Sequence, residues 1–347
     1  MKIAQVMAGA PFGGAEAFFV RLVLGLHRAK VDQVVAIRQN ADRARLLARG
    51  GVTPHQFAFG GAFDFSTKSS LKRLFKAEKP DLVLTWMNRA TALCPKSKGK
   101  FVHVARLGGY YDLKYYQACD HLVGNTQDIV DYLVKEGWPE EKAHYLPNFV
   151  DAEPAAPAER DQWFTPDRSP LVLAMGRLHE NKAFDTLLEA IARVPDAYLW
   201  LAGDGPEREA LERMAEKLAI KPRVRFLGWR DDTAALLAAC DVFVCPSRHE
   251  PLGNVVVEAW AQGKAVVAAD ALGPGTLIDH LETGVLFPVD DAKLLADSLK
   301  YVLAESADRE RLAAAGRRAY EEHFTEARVV DQYMTFFERV IAEQGGK

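Results

Sequence analysis

Short apolar runs alternate with longer stretches in which apolar residues recur every three or four positions, and this continues along the whole chain. Such alternation predicts parallel sheets whose strands are joined by crossover helices. Ile3–Met7, Gln33–Ile37, Leu82–Thr85, Phe101–Val104 and His121–Val123 predict one set of strands. Leu171–Ala174, Tyr198–Leu201, Val224–Phe226, Val242–Val244 and Ala265–Ala268 predict a second. Between the sets, Pro154, Pro157, Pro166 and Pro170 stand among small and acidic residues, a composition that suits a linker. The expected α/β organisation is therefore a Rossmann-like domain over 1–150, a linker over 151–169, a second doubly wound domain over 170–325 and a closing helix over 326–347. In that last stretch Val329, Val330, Tyr333, Met334, Phe337, Val340 and Ile341 fall on one helical face, which would pack back on the first domain. Two such domains facing each other would leave a cleft at the C-terminal ends of their strands, where sheets of this kind bind ligands.

Composition narrows the class. The 347 residues suffice for two ordinary cores, and no apolar run approaches the roughly 18 residues of a membrane-spanning helix. The start of the chain is too short and interrupted for a signal peptide and reads as a strand. Cys94, Cys119, Cys240 and Cys245 have neither metal-ligand nor disulfide spacing, so reduced thiols in a cytoplasmic protein are expected. The net charge of −3 divides unevenly: residues 1–150 carry 21 Lys/Arg against 13 Asp/Glu, and the remainder 23 against 34. The basic half is the one to meet an anion. There Lys68, Lys72, Lys76 and Lys79 run down a predicted helix beside Leu71, Leu74 and Phe75, followed by Lys96, Lys98 and Lys100. This pattern suits docking on an anionic membrane surface, and equally a solvated helix packed by its apolar side. No nucleic-acid partner is expected, and the chain reads as a monomer.

The candidate chemistry concentrates at predicted strand ends. In His249-Glu-Pro-Leu-Gly-Asn-Val-Val-Val-Glu258, Pro251 moves Glu250 away from helical backbone, while Gly253 and Asn254 suit a helix start, so Glu258 falls about one turn into the helix. The free N–H groups of such a helix start can receive a phosphate. Gly176-Arg-Leu-His-Glu-Asn-Lys182 follows another strand, and its guanidinium and ammonium form a plausible pyrophosphate clamp. Gly203 and Gly205 suit a turn before a helix Glu207–Leu218 opened by Pro206. Gly228, Trp229 and Arg230 end a further strand and can hold a planar base, unless Trp229 is core or interface filler; Asp232 is placed to cap the next helix. Gly13 and Gly14, in Pro11-Phe-Gly-Gly-Ala-Glu16, let backbone approach a ligand at a helix start. The dinucleotide spacing Gly-x-Gly-x-x-Gly is absent there, which disfavours a nicotinamide dehydrogenase.

Taken together, Gly13-Gly-Ala-Glu16, Pro147-Asn148 with Val150-Asp151, Gly176-Arg177 with Lys182, Gly203-Asp-Gly205, Pro246-Ser247, and Glu250 with Glu258 resemble glycosyltransferase family 4, retaining enzymes of the GT-B fold. The resemblance implies a hexosyl- or N-acetylhexosaminyltransferase in bacterial envelope glycan assembly, lipopolysaccharide among the candidates. Its donor would be a nucleotide-diphosphate sugar, UDP-linked before GDP-linked, used without metal or other cofactor. Arg177 and Lys182 would neutralise the diphosphate, Glu250 would touch the donor sugar, Glu258 would hold the ribose, and Gly176, Gly228, Trp229, Arg230, Leu252, Gly253 and Asn254 would complete the donor site. Arg106, before His103, would enter the cleft from the first domain, a buried and satisfied histidine being the other reading of His103; Asn88, Arg106, Tyr110 and Tyr111 would lie toward a glycan or lipid-linked acceptor, unless the tyrosines are packing. The protein would sit in the cytoplasm or peripherally on the inner face of the membrane. Phe149 and Gly273-Pro-Gly-Thr276 depart from the family pattern, which loosens the identity of donor and acceptor. A nucleotide-sugar epimerase or hydrolase of the same fold, or an inactive sugar-nucleotide-binding protein, is the alternative.

Overall fold

The computed structural model describes residues 1–11, 13–60, 64–150 and 153–345. Phe12 and Asp151, named in the motifs above, lie outside the described residues. The chain forms two compact units, Met1–Phe149 with Glu326–Lys347, and Val150–Thr325.

Unit 1 is built on seven parallel strands among the described residues: β1 Lys2–Met7, β2 Asp32–Arg38, β3 His55–Phe57, β4 Leu82–Trp86, β5 Val102–Leu107, β6 His121–Gly124 and β7 Ala143–Tyr145. Their spatial order is β3-β2-β1-β4-β5-β6-β7. Helices α1 Gly14–Arg28, α2 Ala41–Arg49, α3 Phe65–Glu78, α4 Met87–Leu93 and α5 Gln127–Lys135 supply the crossovers. The central strands are covered on both faces, so their β-branched and apolar residues run without polar alternation. Three-residue β3 and β7 escape the sequence pattern because edge strands need no apolar run. β5 extends past Val104 to Leu107, which puts Arg106 inside the strand rather than at its end. The terminal helix Glu326–Gly345 belongs to this unit: Val329, Val330, Tyr333, Phe336, Phe337 and Val340 join Phe18, Phe19 and Phe149 in one core. Gly25 lets α1 approach it, since an added Cβ would sit 2.9 Å from Val330.

The apolar side of α3 is spent internally. Leu71 and Phe75 are buried in a core cluster, while Lys68, Lys72, Lys76 and Lys79 are exposed.

Unit 2 has strands β8 Leu171–Met175, β9 Tyr198–Ala202, β10 Val224–Gly228, β11 Val242–Cys245, β12 Ala265–Ala269 and β13 Val285–Phe287, in the order β10-β9-β8-β11-β12-β13. Its helices are α6 Phe184–Ala192, α7 Arg208–Lys217, α8 Thr233–Ala239, α9 Asn254–Ala261, α10 Leu272–Leu277, α11 Ala292–Ala304 and α12 Ser306–His323. Two local expectations need correction. α7 starts at Arg208, after Pro206 and its Glu207 cap, because Glu207 N–H is held by the Leu178 carbonyl at 3.1 Å. Asp232 precedes α8 but caps no backbone group with its side chain; its carboxylate is taken by the Arg230 fork, Nε to Oδ1 at 2.8 Å. The proline-rich segment lies against this unit: Arg160 bonds Asp241 and the Ala239 carbonyl, and Trp163 packs edge-on to Trp200 at 4.8 Å.

Candidate functional site

Each sheet has one switch point, where successive crossovers turn to opposite sides and leave a crevice between two neighbouring strands. In unit 2 the switch lies between β8 and β11. The loop after β8 carries Gly176, Arg177 and Lys182, and the loop after β11 runs from Pro246 to Gly253. Lys182 Nζ and Glu250 Oε2 pair directly across that crevice, with side chains 24% and 11% exposed. The loops are also pinned by backbone: the Asn181 carbonyl accepts from Arg248 N–H at 2.9 Å. Arg248 itself reaches Asp185 at 2.7 Å, Asp290 at 2.6 Å and the Glu180 carbonyl at 2.7 Å. Sequence reasoning missed Arg248, because its partners lie far off in the chain. Arg177 is exposed, and among the described residues nothing pairs with it.

Close loop packing explains the glycines. Gly203 has φ +145, and an added Cβ would lie 1.9 Å from the Gly176 carbonyl oxygen; one on Gly205 would lie 2.3 Å from that of Leu178. Backbone bonds Gly176 N–H to Ala202 O (2.9 Å), Leu178 N–H to Asp204 O (3.0 Å) and Gly203 N–H to Gly228 O (2.7 Å) tie the loops after β8, β9 and β10 into one layer. Gly228 itself is left-handed at φ +68. Trp229 beyond it is 79% exposed, which removes the reading of it as core filler. Arg230 is held by Asp232 and stacks over Trp163 at 5.2 Å.

α9 begins at Asn254 behind Gly253, which is left-handed at φ +65 and brings no side-chain cap. An added Cβ there would lie 2.8 Å from Leu277. The Glu250 carbonyl accepts from Gly273 N–H at 2.8 Å, so α10 braces the loop that holds Glu250 and Leu252. Glu258 lies in the fifth position of α9, half-buried and already engaged by a neighbour.

In unit 1 the switch lies between β1 and β4. Glu16, in the first turn of α1, folds back so that its carboxylate accepts from Ala10 N–H at 2.7 Å. Added Cβ atoms on Gly9 and Gly13 would lie 2.2 and 2.3 Å from that carboxylate, whereas Gly14 has open space. A crevice of about 310 Å³ opens beside this loop, lined by Ala8, Gly9, Ala10, Arg38, Met87, Asn88, Arg89 and Tyr111. Asn88 and Tyr111 were expected near a ligand; Arg38 and Arg89 were not, although Arg38 is legible as a cation ending a strand. Tyr116 is core, its hydroxyl donating to Asn88 Oδ1, and Tyr110 is exposed with its hydroxyl on Asp128.

Arg106 and His103 are core residues. Arg106 donates to Tyr333 Oη (3.0 Å) and to Asn148 Oδ1, with its guanidinium against the rings of Phe18 (4.6 Å) and Trp86 (4.7 Å). His103 donates from Nδ1 to the Ala118 carbonyl at 3.3 Å and meets the Thr85 hydroxyl at 3.1 Å. Burial pushes its pKa down to about 4, so it is neutral. Arg106, the first choice for the cleft, is thus interior, and His103 is the buried, satisfied histidine of the alternative reading.

Residues 12–154 match the model described as Glycosyltransferase Family 4, and residues 156–319 that of Glycosyl transferases group 1. The chain is 38% identical to the lipopolysaccharide core biosynthesis glycosyltransferase LpsE of Rhizobium meliloti, over 96% of this chain and 98% of that one. It is 35% identical to LpsD of the same organism, over 99% and 100%. Among solved structures, HepE of Anabaena in complex with UDP superposes with a TM-score of 0.85 at 20% identity, covering 98% of this chain and all of that one.

Proposed function

The chain belongs to the family 4 glycosyltransferases, and from that premise we propose that it moves a hexosyl or N-acetylhexosaminyl group from a UDP-sugar to a glycan or glycolipid acceptor of lipopolysaccharide core synthesis, with retention of anomeric configuration and without a metal ion. Two relatives named for lipopolysaccharide core synthesis and matched along their whole length support the pathway. The observation that carries the chemistry is the unit 2 switch point, where Arg177, without a partner among the described residues, stands on the loop whose Lys182 meets Glu250. As the glycosidic bond to the nucleoside diphosphate breaks, negative charge grows on the leaving phosphate. Arg177 and Lys182 stabilise it in place of a divalent cation. Glu250, paired with Lys182, accepts hydrogen bonds from the donor sugar, and the backbone at Gly253 and the start of α9 receives the phosphates. Glu258 takes the ribose, and Gly228, Trp229 and Arg230 flank the base. Unit 1 takes the acceptor at its own switch point, through Asn88 and Tyr111.

The exposed Lys68, Lys72 and Lys76 on α3 and Lys79 just after it, with Phe65 73% exposed at its start, support peripheral contact with an anionic membrane on the cytoplasmic face. The protein acts as a monomer in this reading. The test is incubation with UDP-, GDP- and ADP-sugars, with and without a core glycolipid extract. UDP release that rises with the extract, and a labelled glycolipid product, are expected. Release that ignores the extract would favour an epimerase or hydrolase, and no release with any sugar would defeat the proposal.

A further inference from the structure

The unit 1 crevice carries a charge pattern that a neutral sugar acceptor does not require. Strand register sets Ile37, Met7 and Trp86 level across β2, β1 and β4, so Arg38, Ala8 and Met87 begin the lip together. Met87 is held in the left-handed region at φ +67, an uncommon conformation for a non-glycine residue, and it delivers Asn88 and Arg89 to the same lip. Arg38 and Arg89 thus both line this crevice of about 310 Å³.

Neither has a carboxylate partner among the described residues. Arg38 makes no ion pair, and Arg89 gives one N–H to the Phe59 carbonyl at 3.3 Å. The nearby carboxylate, Glu16, is turned into its own loop, where it faces Ala10 N–H and the buried Arg43. Two cations lining one crevice without a carboxylate partner among the described residues suit an anionic ligand. The remaining lining suits a sugar: Tyr111 is aromatic, and Asn88, whose Oδ1 accepts from the Tyr116 hydroxyl, retains an amide nitrogen able to donate. The volume stands at the low end of the roughly 300–1,000 Å³ of ligand sites, enough for one sugar residue rather than a chain.

We propose that this crevice recognises the acceptor through an anionic substituent on a sugar residue, a phosphate or a carboxylate, gripped jointly by Arg38 and Arg89. The proposal rests on the reading that unit 1 takes the acceptor. Arg, with its planar fork, matches either anion in two-point fashion.

Isothermal titration with glucose 6-phosphate, glucuronic acid and glucose tests it on the parent chain, Arg38→Gln, Arg89→Gln, Arg38→Lys and Arg177→Ala, with circular dichroism melts to check folding. At least one charged sugar should bind roughly tenfold or more tighter than glucose, and the identity of that sugar assigns phosphate or carboxylate. Arg38→Gln and Arg89→Gln should each remove the preference, Arg38→Lys should keep part of it, and Arg177→Ala should keep it whole. No preference for a charged sugar, a preference that survives both Gln variants, or one that disappears in Arg177→Ala would overturn the proposal, the last by placing the anion in unit 2. Transfer to a glycolipid extract separates the two readings. If transfer proceeds and the acceptor KM of both Gln variants equals the parent's, the anion grip alone falls. If no transfer occurs while the titration pattern holds, the acceptor reading falls and the anion site stands.

Discussion

Arg177 and Arg106 are the same residue type near the ends of two sheets, yet the fold gives them opposite situations. Arg106 is 2% exposed, bonded to Tyr333 and Asn148 and set against two aromatic rings, whereas Arg177 is exposed with no partner among the described residues. Arg177 is thus the one free to meet a ligand. Removing it should lower kcat/KM for UDP release roughly ten- to a hundredfold, from a charge-assisted bond worth about 1.5–3 kcal/mol. Arg177→Lys should recover only part, because an ammonium lacks the fork. His103 gives a second prediction. The folded chain keeps it neutral down to about pH 4, while the unfolded chain takes up its proton near pH 6.5. Its contribution is therefore complete above pH 6.5 and is lost as the pH falls toward 4, on the order of 2 kcal/mol by pH 5. Urea unfolding of the parent and of His103→Gln at pH 7 and pH 5 checks this; the variant should lose less on acidification. At this scale the positions of the residues proposed for the donor were readable, since Gly176, Arg177, Lys182, Glu250 and Glu258 stand at legible strand ends and helix starts. Which cations stay free was not, because that depends on burial by distant residues such as Tyr333.

The elements that shape the proposed donor site are the loops after β8, β9 and β10, stacked with their backbones in contact. Gly203→Ala would force a methyl group to within 1.9 Å of the Gly176 carbonyl oxygen at φ +145. Strain of this kind costs on the order of 1–3 kcal/mol or displaces the loop. Chemical denaturation should report the loss, and UDP-dependent thermal stabilisation should weaken with it. Gly14→Ala, by contrast, meets nothing within 4 Å at the start of α1, so its unfolding free energy should stay within roughly 1 kcal/mol of the parent. Turn chemistry alone accounted for Gly203 and Gly205 in the sequence; the need for an absent Cβ became visible only when three loops, each closing a different strand, were brought together. The short edge strands β3, β7 and β13 were illegible for a related reason, since three residues paired on one side carry no periodicity.

For the molecule as a whole, the terminal helix Glu326–Gly345 completes unit 1 from the far end of the chain. It buries Val329, Val330, Tyr333, Phe336, Phe337 and Val340. At about 1.5–3 kcal/mol for each large side chain removed from water, deleting 326–347 costs as much as the 5–15 kcal/mol that stabilises an ordinary domain. Hydrogen exchange should then show residues 1–149 losing protection while 150–325 keep theirs. The periodicity of apolar positions determined, by itself, the two parallel sheets, their crossover helices, and the placing of Arg177, Lys182, Glu250 and Glu258 at strand ends and a helix start, because backbone geometry ties those positions to local spacing. Only tertiary structure decided that Lys182 pairs with Glu250, that Arg248 ties their loops, that Arg106 and His103 are interior, and that Arg38 shares a crevice with Arg89. Those outcomes depend on strand order and on contacts between residues tens to hundreds of positions apart, which local spacing does not encode.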